Sequence, residues 1–252
     1  MDFKVVHIDE TDSTNHWLKA HGEGTMVVVA DFQTAGKGCG SNSWESERGQ
    51  NLTFSMLIHP EALEARAQFR ITEVVSVALC NTLERYIYKE VDIKWPNDIY
   101  VGDRKICGIL IENRLKGSTI TDSIVGIGLN VNQREFLSDA PNPVSIYQLT
   151  GEETDREALL QAFLKELSKA FEMEPEALAQ SYRSRLYRRE GMHRFSDSHG
   201  AFEAKVLNVL DDGRLVLLDT EGKARMYAFK EVQFCINETN SNERLLETNC
   251  HK

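Results

Sequence analysis

Long hydrophobic runs are missing from this 252-residue chain. No apolar stretch approaches the roughly 18–20 residues that a membrane helix needs. The start, Met1-Asp2-Phe3-Lys4, lacks the basic-then-apolar layout of a secretory signal. Cysteine is sparse and scattered: Cys39, Cys80, Cys107, Cys235 and Cys250 contain no CxxC pair. That spacing speaks against a disulfide framework or a structural zinc site and fits free thiols in a reducing compartment, most simply the cytoplasm. Positive charge is also short. The formal net charge is −10, and the one basic cluster, Arg183 to Arg189, reads as a solvated helix face or a partner contact. A clustered positive face of the kind that nucleic acid requires is lacking. What remains is an ordinary globular composition, 41% hydrophobic and 27% charged, long enough to bury one large domain or a large one and a small one.

Standard catalytic signatures are lacking too. A Walker phosphate loop would need glycine at Asp31 and Ser or Thr at Gly38. There is no G-x-G-x-x-G between a strand and a helix, no H-E-x-x-H and no G-x-S-x-G, and the seven histidines lack metal-ligand spacing. The stretch that stands out is Ala30 to Trp44, where Gly36, Gly38 and Gly40 surround Lys37 and Cys39. Glycines at that density let backbone amides approach a ligand closely.

Read in order, Lys4 to Ile8 is a short strand, and Asp12 or Ser13 caps a helix through Asn15 to Ala20 that stops at Gly22. The same run, Asp12-Ser13-Thr14-Asn15, could instead hydrogen-bond a ligand. Strands over Thr25 to Ala30 and Asn51 to Ile58 flank the glycine loop, so it joins two strands. Gln68 to Tyr88 is a long helix with a broad apolar face. A strand running into Trp95 is ended by Pro96, and Ile99 to Val101 pairs with Lys105 to Glu112 across Gly102-Asp103-Arg104. Lys105 is unexpected at the head of a strand that is otherwise buried. Thr119 to Asn132 is a further strand region ending Gly126-Ile127-Gly128-Leu129-Asn130-Val131-Asn132. Pro141 to Leu149 reads as a featureless connection. Helices follow over Glu157 to Glu172 and Glu176 to Arg189. After Gly191, hairpin strands at Phe202 to Leu210 and Arg214 to Asp219, then Met226 to Phe229 and Val232 to Phe234, predict a small barrel. The expected spans are 1–190, 191–237 and a frayed polar tail over 238–252.

Polar, glycine-bearing strand ends together with Lys37 and Lys105 suggest a site for a ligand with an anionic and an apolar part. These stretches resemble the biotin protein ligase family. The pieces that carry the resemblance are Asp12-Ser13-Thr14-Asn15, Gln33 to Gly38 with Trp44 and Gly49-Gln50-Asn51-Leu52, Lys94-Trp95-Pro96-Asn97-Asp98, Lys105 to Glu112 and Gly126 to Asn132. They stand in the family's order over roughly residues 5 to 132.

The resemblance implies an α+β fold. A mixed sheet with helices packed on it, of the class II aminoacyl-tRNA-synthetase-like biotin/lipoate ligase kind, would precede an SH3-like barrel. It also implies an enzyme that uses ATP, biotin and Mg²⁺. The enzyme would form biotinyl-5′-AMP and pass biotin to a lysine of a biotin carboxyl carrier domain. By position, Ser13, Thr14, Asn15, Gln33, Lys37, Gly38, Cys39, Lys105 and Gly108 would bind biotin. Gly36, Lys37, Gly38, Trp44, Asn97, Lys105, Asn130 and Asn132 would bind ATP and the adenylate, with Trp44 stacked on adenine. Lys105, Lys37 and Asp98 would be catalytic. No metal ligand is assigned, the ion being held by the phosphates. The resemblance allows a homodimer through a sheet edge and implies no nucleic-acid or membrane partner, with no room for an N-terminal DNA-binding domain. Two positions depart from the family, which usually carries arginine where Lys37 and Cys39 stand. The loss of charge at Cys39 implies looser retention of the adenylate unless Arg48 substitutes. The competing readings are a lipoate or octanoate transferase, in which Cys39 or Cys107 would carry an acyl thioester, and a non-catalytic biotin-binding protein.

Overall fold

A computed structural model describes residues 2–40, 42–138, 140 and 142–236, so the tail expected over 238–252, with Cys250, lies outside the described residues. The chain divides into two compact units, Met1–Tyr187 and Arg188–Lys252.

The first unit is built on a seven-stranded mixed sheet. Its strands are β1 (Lys4–Thr11), β2 (Met26–Gln33), β3 (Leu52–Ile58), β4 (Asp92–Lys94), β5 (Asp98–Val101), β6 (Arg104–Lys116) and β7 (Thr119–Leu129). They lie in the order β1-β2-β3-β7-β6-β5-β4. Helix α1 (Thr14–His21) carries the chain from β1 to β2, which pair in parallel, and every other pairing in this sheet is antiparallel. β1 and β2 run to Thr11 and Gln33, farther than expected, so Gln33 stands on a strand end and not in the glycine loop.

The two faces of this sheet carry different side chains, because successive residues of a strand point to opposite sides. One face is apolar and covered by α2 (Phe69–Leu83), α4 (Arg156–Phe171) and α5 (Pro175–Ser184). Phe54 meets Phe163 edge-on at 5.5 Å and Phe69 meets Tyr182 at 5.4 Å. On the other face α1 sets Leu18 against Met26, Val28, Leu57 and Ile124. Beyond that small cluster the same face carries Ser55, Gly108, Gly126 and Gly128, and the site described below lies there.

Three expected elements are corrected. The helix read over Glu176 to Arg189 ends at Ser184, because the next residues pair with β4: Ile93 N donates to Arg185 O at 2.7 Å and Tyr187 N to Ile93 O at 2.9 Å. Tertiary pairing there overrides a continuous helical pattern. The helix read over Gln68 to Tyr88 closes at Leu83 in tighter turns. The segment read as a featureless connection holds α3 (Ile146–Thr150), capped by a reciprocal Ser145–Gln148 box.

The second unit is a five-stranded antiparallel sheet of β8 (His193–Asp197), β9 (Gly200–Val209), β10 (Leu215–Asp219), β11 (Ala224–Tyr227) and β12 (Gln233–Phe234), ordered β11-β10-β9-β8-β12. β8 went unread in the sequence. Phe195, Ala204, Leu215 and Leu217 are its fully buried residues. Within the first unit, Arg183 and Arg185 of the basic cluster are paired with Glu176 and Glu84.

Candidate active site

Register places two rows of residues side by side on the sheet face that α1 shares. The first row runs Ala30, Thr53, Gly128, Gly108, Asp98, and the second runs Val28, Ser55, Gly126, Leu110. Three glycines at these positions leave a bare strip of backbone, and two side chains lie on it, one from the glycine loop and one from α1. A Cβ on Gly128 would come within 2.2 Å of the Trp44 indole, and one on Gly126 within 2.4 Å of Asn15 Oδ1. Both contacts are with groups held in place, so neither glycine accepts a side chain without displacing its neighbour.

Over the second row lies a polar cluster. Gln33 Oε1 accepts from Thr14 N at 2.8 Å and Thr14 Oγ1 at 3.0 Å. Ser55 Oγ, wholly buried, stands 2.6 Å from both Thr14 Oγ1 and Asn15 Oδ1. Asn15 Nδ2 donates to Glu112 Oε2 at 2.8 Å, and Lys19 Nζ to Glu112 Oε1 at 2.6 Å. Burial alone would raise the Glu112 pKa. Hydrogen bonds from Lys19 and Asn15, with the charges of Lys19 and Lys37, outweigh burial and hold it below the usual range. Ser13 is the N-cap residue of α1, yet its side chain makes no capping hydrogen bond. Capping therefore does not account for this hydroxyl.

Over the first row the glycine loop folds back on itself. Lys37 and Ser43 form an antiparallel bridge, Gly38 N donates to Asn42 O at 2.7 Å, and Trp44 N to Gly36 O at 2.9 Å. Gly40 makes the reversal at φ +73°. The fold of the loop lays Trp44 over Gly108 and Gly128 and leaves Lys37 exposed, with Cys39 half-buried.

Lys105 reaches this face because of a bulge. Along β6, Cys107 and Ile109 point to the helix side, and strict alternation would send Lys105 there as well. The pairing slips between Ile99 and Tyr100, so that Ile99 faces Cys107 and Tyr100 faces Lys105, with Ile106 unmatched. One extra residue turns the lysine to the other side. Its Nζ then lies 2.7 Å from Asp98 Oδ1 and 5.6 Å from the Trp44 ring centroid, with both side chains of the ion pair about a quarter exposed (29% and 24%). The Lys105 backbone is held as well, its N donating to Asn142 O and its O accepting from Val144 N, each at 2.9 Å.

The other predicted residues divide. Asn130 lies buried at the exit of β7, where its Nδ2 donates to Val144 O at 3.1 Å and its Oδ1 has no partner. Trp44 Nε1 is likewise buried and unpartnered. Unmatched polar atoms of this kind are rare and call for a reason. Asn97 is committed to structure, donating to Ile109 O at 2.5 Å. Asn132 is too: its amide exchanges two hydrogen bonds with the Thr154 backbone, at 3.0 and 2.9 Å. Arg48 is engaged by Asp9 and Glu10 and sits over the Phe32 ring at 4.8 Å. Ser55 and Glu112 were not predicted. Hydroxyls at Thr53 and Ser55, two residues apart in an otherwise apolar strand, were the signal that could have found the first. Among the described residues no group of three His, Cys, Asp or Glu could hold a metal ion.

Comparison with known proteins agrees with this layout. Residues 4–130 match the biotin/lipoate A/B protein ligase family. The bifunctional ligase/repressor BirA of Bacillus subtilis (strain 168) is 32% identical over 236 residues, covering 88% of this chain and 70% of its own. A biotin–[acetyl-CoA-carboxylase] ligase of Paracoccus denitrificans is 33% identical over 159 residues, 60% of this chain and 65% of its own. Among solved structures, a biotin protein ligase from Aquifex aeolicus in complex with biotin and ATP superposes with a TM-score of 0.77 at 27% identity. That match covers 91% of this chain and 97% of the other.

Proposed function

The chain belongs to the biotin/lipoate A/B protein ligase family, and on that premise we propose that it is an ATP-dependent biotin protein ligase. It joins biotin and ATP into biotinyl-5′-AMP and transfers the biotinyl group to a lysine of a biotin carboxyl carrier domain. In the first step a biotin carboxylate oxygen attacks the α-phosphorus and pyrophosphate leaves. In the second, the carrier amine attacks the acyl carbon, a C–N bond replaces the C–O bond to AMP, and the amine gives up a proton.

The observation that carries this reading is the Lys105–Asp98 pair beside the Trp44 indole, with the indole nitrogen and the Asn130 amide oxygen both buried and unmatched. Lys105 is the cation for the biotin carboxylate and α-phosphate. Held by Asp98 before substrate arrives, it stabilises the charge that develops at phosphorus without having to be reorganised. Asp98, 2.7 Å from Lys105 Nζ, is also the group that orients the incoming amine. Trp44 stacks on adenine, and Asn130 Oδ1 accepts from its exocyclic amine, which gives that oxygen the donor it lacks. Ser13, Thr14, Asn15 and Gln33 take the polar ring of biotin, and Gly108, against which Lys105 and Trp44 lie, lets both side chains sit close to the bound ligand. Gly36, Lys37, Gly38 and Cys39 close over the intermediate. Asn97 and Asn132 act by shaping the site, since their amides are already engaged. Mg²⁺ enters with the ATP phosphates, and no residue is assigned as its ligand. Free thiols at the four described cysteines fit a cytoplasmic enzyme, and a homodimer would form through a sheet edge.

The transferase alternative fares worse on one observation. Cys107 is wholly buried, and that burial pushes its thiol well above the ordinary range, which suits neither a nucleophile nor an acyl carrier. Biotin-dependent exchange of labelled pyrophosphate into ATP tests the first step. Exchange that is absent, or that proceeds without biotin, would refute the reading.

A further inference from the structure

Behind the glycine loop lies a hydrogen-bonded frame that none of the assigned roles uses. Glu45 follows Trp44 directly, and its carboxylate turns away from the indole toward the segment after β7. Its Oε1 accepts from Leu137 N at 2.8 Å and from Gln133 Nε2 at 3.2 Å, and its Oε2 accepts from Ser138 N at 2.8 Å. Burial would raise the Glu45 pKa, but hydrogen bonding from the Ser138 side chain, together with the Leu137 and Ser138 amides and Gln133, keeps it below the usual range, so the carboxylate is ionised at neutral pH.

Gln133 is only 2% exposed, and both ends of its amide are filled. Its Oε1 accepts from Glu47 N at 3.0 Å and Asn51 Nδ2 at 2.5 Å, while its Nε2 donates to Glu45 and to Glu135 O at 2.8 Å. Two further bonds extend the frame. Asn51 Oδ1 accepts from Val131 N at 2.9 Å, and Ser145 Oγ donates to Gln133 O at 2.6 Å. The stem of the loop that presents Trp44 is thereby fastened to the strand exit that presents Asn130. Glu45 is one residue from the indole, and Gln133 is three from the amide.

We propose that Glu45 and Gln133 are positioning residues for the nucleotide. They fix the spacing between the surface that stacks on the purine and the atom that reads its edge. The polar cluster around Ser55 and Thr14 is braced by other elements, β2, β3 and β6, so loosening this frame weakens ATP binding while leaving biotin binding alone. A hydrogen bond to a charged acceptor is worth more than a neutral one, and Glu45 accepts one part-buried bond from Gln133 and two exposed ones from the Leu137 and Ser138 amides.

The inference rests on the ligase reading, and the experiment separates the two. Wild type, Glu45→Ala and Glu45→Gln are compared in biotin-dependent pyrophosphate exchange, with biotin affinity measured calorimetrically without nucleotide and folding checked by thermal melting. The expected result is an ATP KM raised about tenfold in Glu45→Ala, the equivalent of 1.4 kcal/mol. Biotin affinity stays within about twofold, and Glu45→Gln, which keeps one acceptor oxygen, falls between. An ATP KM unchanged in an active Glu45→Ala would overturn the proposal alone. So would equal losses for ATP and biotin, which would mark a general loosening. A wild type that shows no biotin-dependent exchange would overturn the ligase reading and this inference with it.

Discussion

The two halves of the site are finished to different degrees. In the half assigned to biotin, Thr14, Asn15, Gln33, Ser55 and Glu112 are joined to one another, and through Glu112 to Lys19, by short hydrogen bonds. In the half assigned to the nucleotide, Trp44 Nε1 and Asn130 Oδ1 are buried with nothing to bond. A self-satisfied cluster is rigid and selects its ligand by shape and by exchange of hydrogen bonds. An unsatisfied pair gains from any ligand that supplies the missing partners. The difference suggests that biotin meets a preformed pocket, while the nucleotide completes its own.

The largest effect should come at the point where the halves meet. Lys105→Ala should lower the rate of adenylate formation by roughly two to three orders of magnitude with little change in thermal stability. Lys105→Arg should restore only part of it, since a planar fork cannot occupy the position of a point charge held against Asp98. Rapid-quench measurement of adenylate would show this, and a near-normal rate in Lys105→Ala would put the chemistry elsewhere.

Next in size, the paired glycine substitutions separate the halves directly. Gly128→Ala forces the Trp44 indole off its strand, and Gly126→Ala displaces the Asn15 amide. Overpacking of this kind costs about 1–3 kcal/mol, so each should weaken one ligand by about five- to 150-fold. Gly128→Ala should raise the ATP KM and spare biotin, and Gly126→Ala the reverse. Both ligands weakened equally by either change would mean that the two halves are one.

A smaller effect concerns acid. Glu112 has its folded pKa below the ordinary value near 4.5, so the native state binds fewer protons than the unfolded chain in that range. Its stabilising contribution is complete above about pH 4.5 and is lost as pH falls through the depressed pKa. Glu112→Gln should therefore flatten the acid limb of biotin binding and of stability below that pH. A limb as steep as in wild type would remove Glu112 from the biotin half.

The smallest effect expected is at Cys39. No charge stands at this position in the glycine loop, and Arg48, the nearby candidate to replace it, is taken up by Asp9, Glu10 and Phe32. Cys39→Arg should slow release of preformed adenylate several-fold, as read by its partition between free and bound forms. Equal release rates would sink the idea.

Much of this could be read from the residues, and the failures have physical causes. The strands around the glycine loop were legible because their apolar runs end at turn residues, and the loop's glycines marked a close backbone approach. Lys105 looked misplaced because period-two alternation cannot register a bulge, which is a property of pairing with β5 and not of β6 itself. Ser55 and Glu112 were missed for a related reason: what they touch lies 40 and 97 residues away along the chain. Asn132 and Asn97 illustrate a different limit of sequence reading. Both stand in motif positions, yet their amides are spent on the backbone of Thr154 and Ile109.

The most direct test of the account is the intact mass of a biotin carboxyl carrier domain after incubation with the enzyme, biotin and MgATP. The account predicts the gain of a single biotinyl group on one lysine, dependent on ATP and lost in Lys105→Ala. A carrier left unmodified while an acyl thioester accumulates on Cys39 of the enzyme would contradict it.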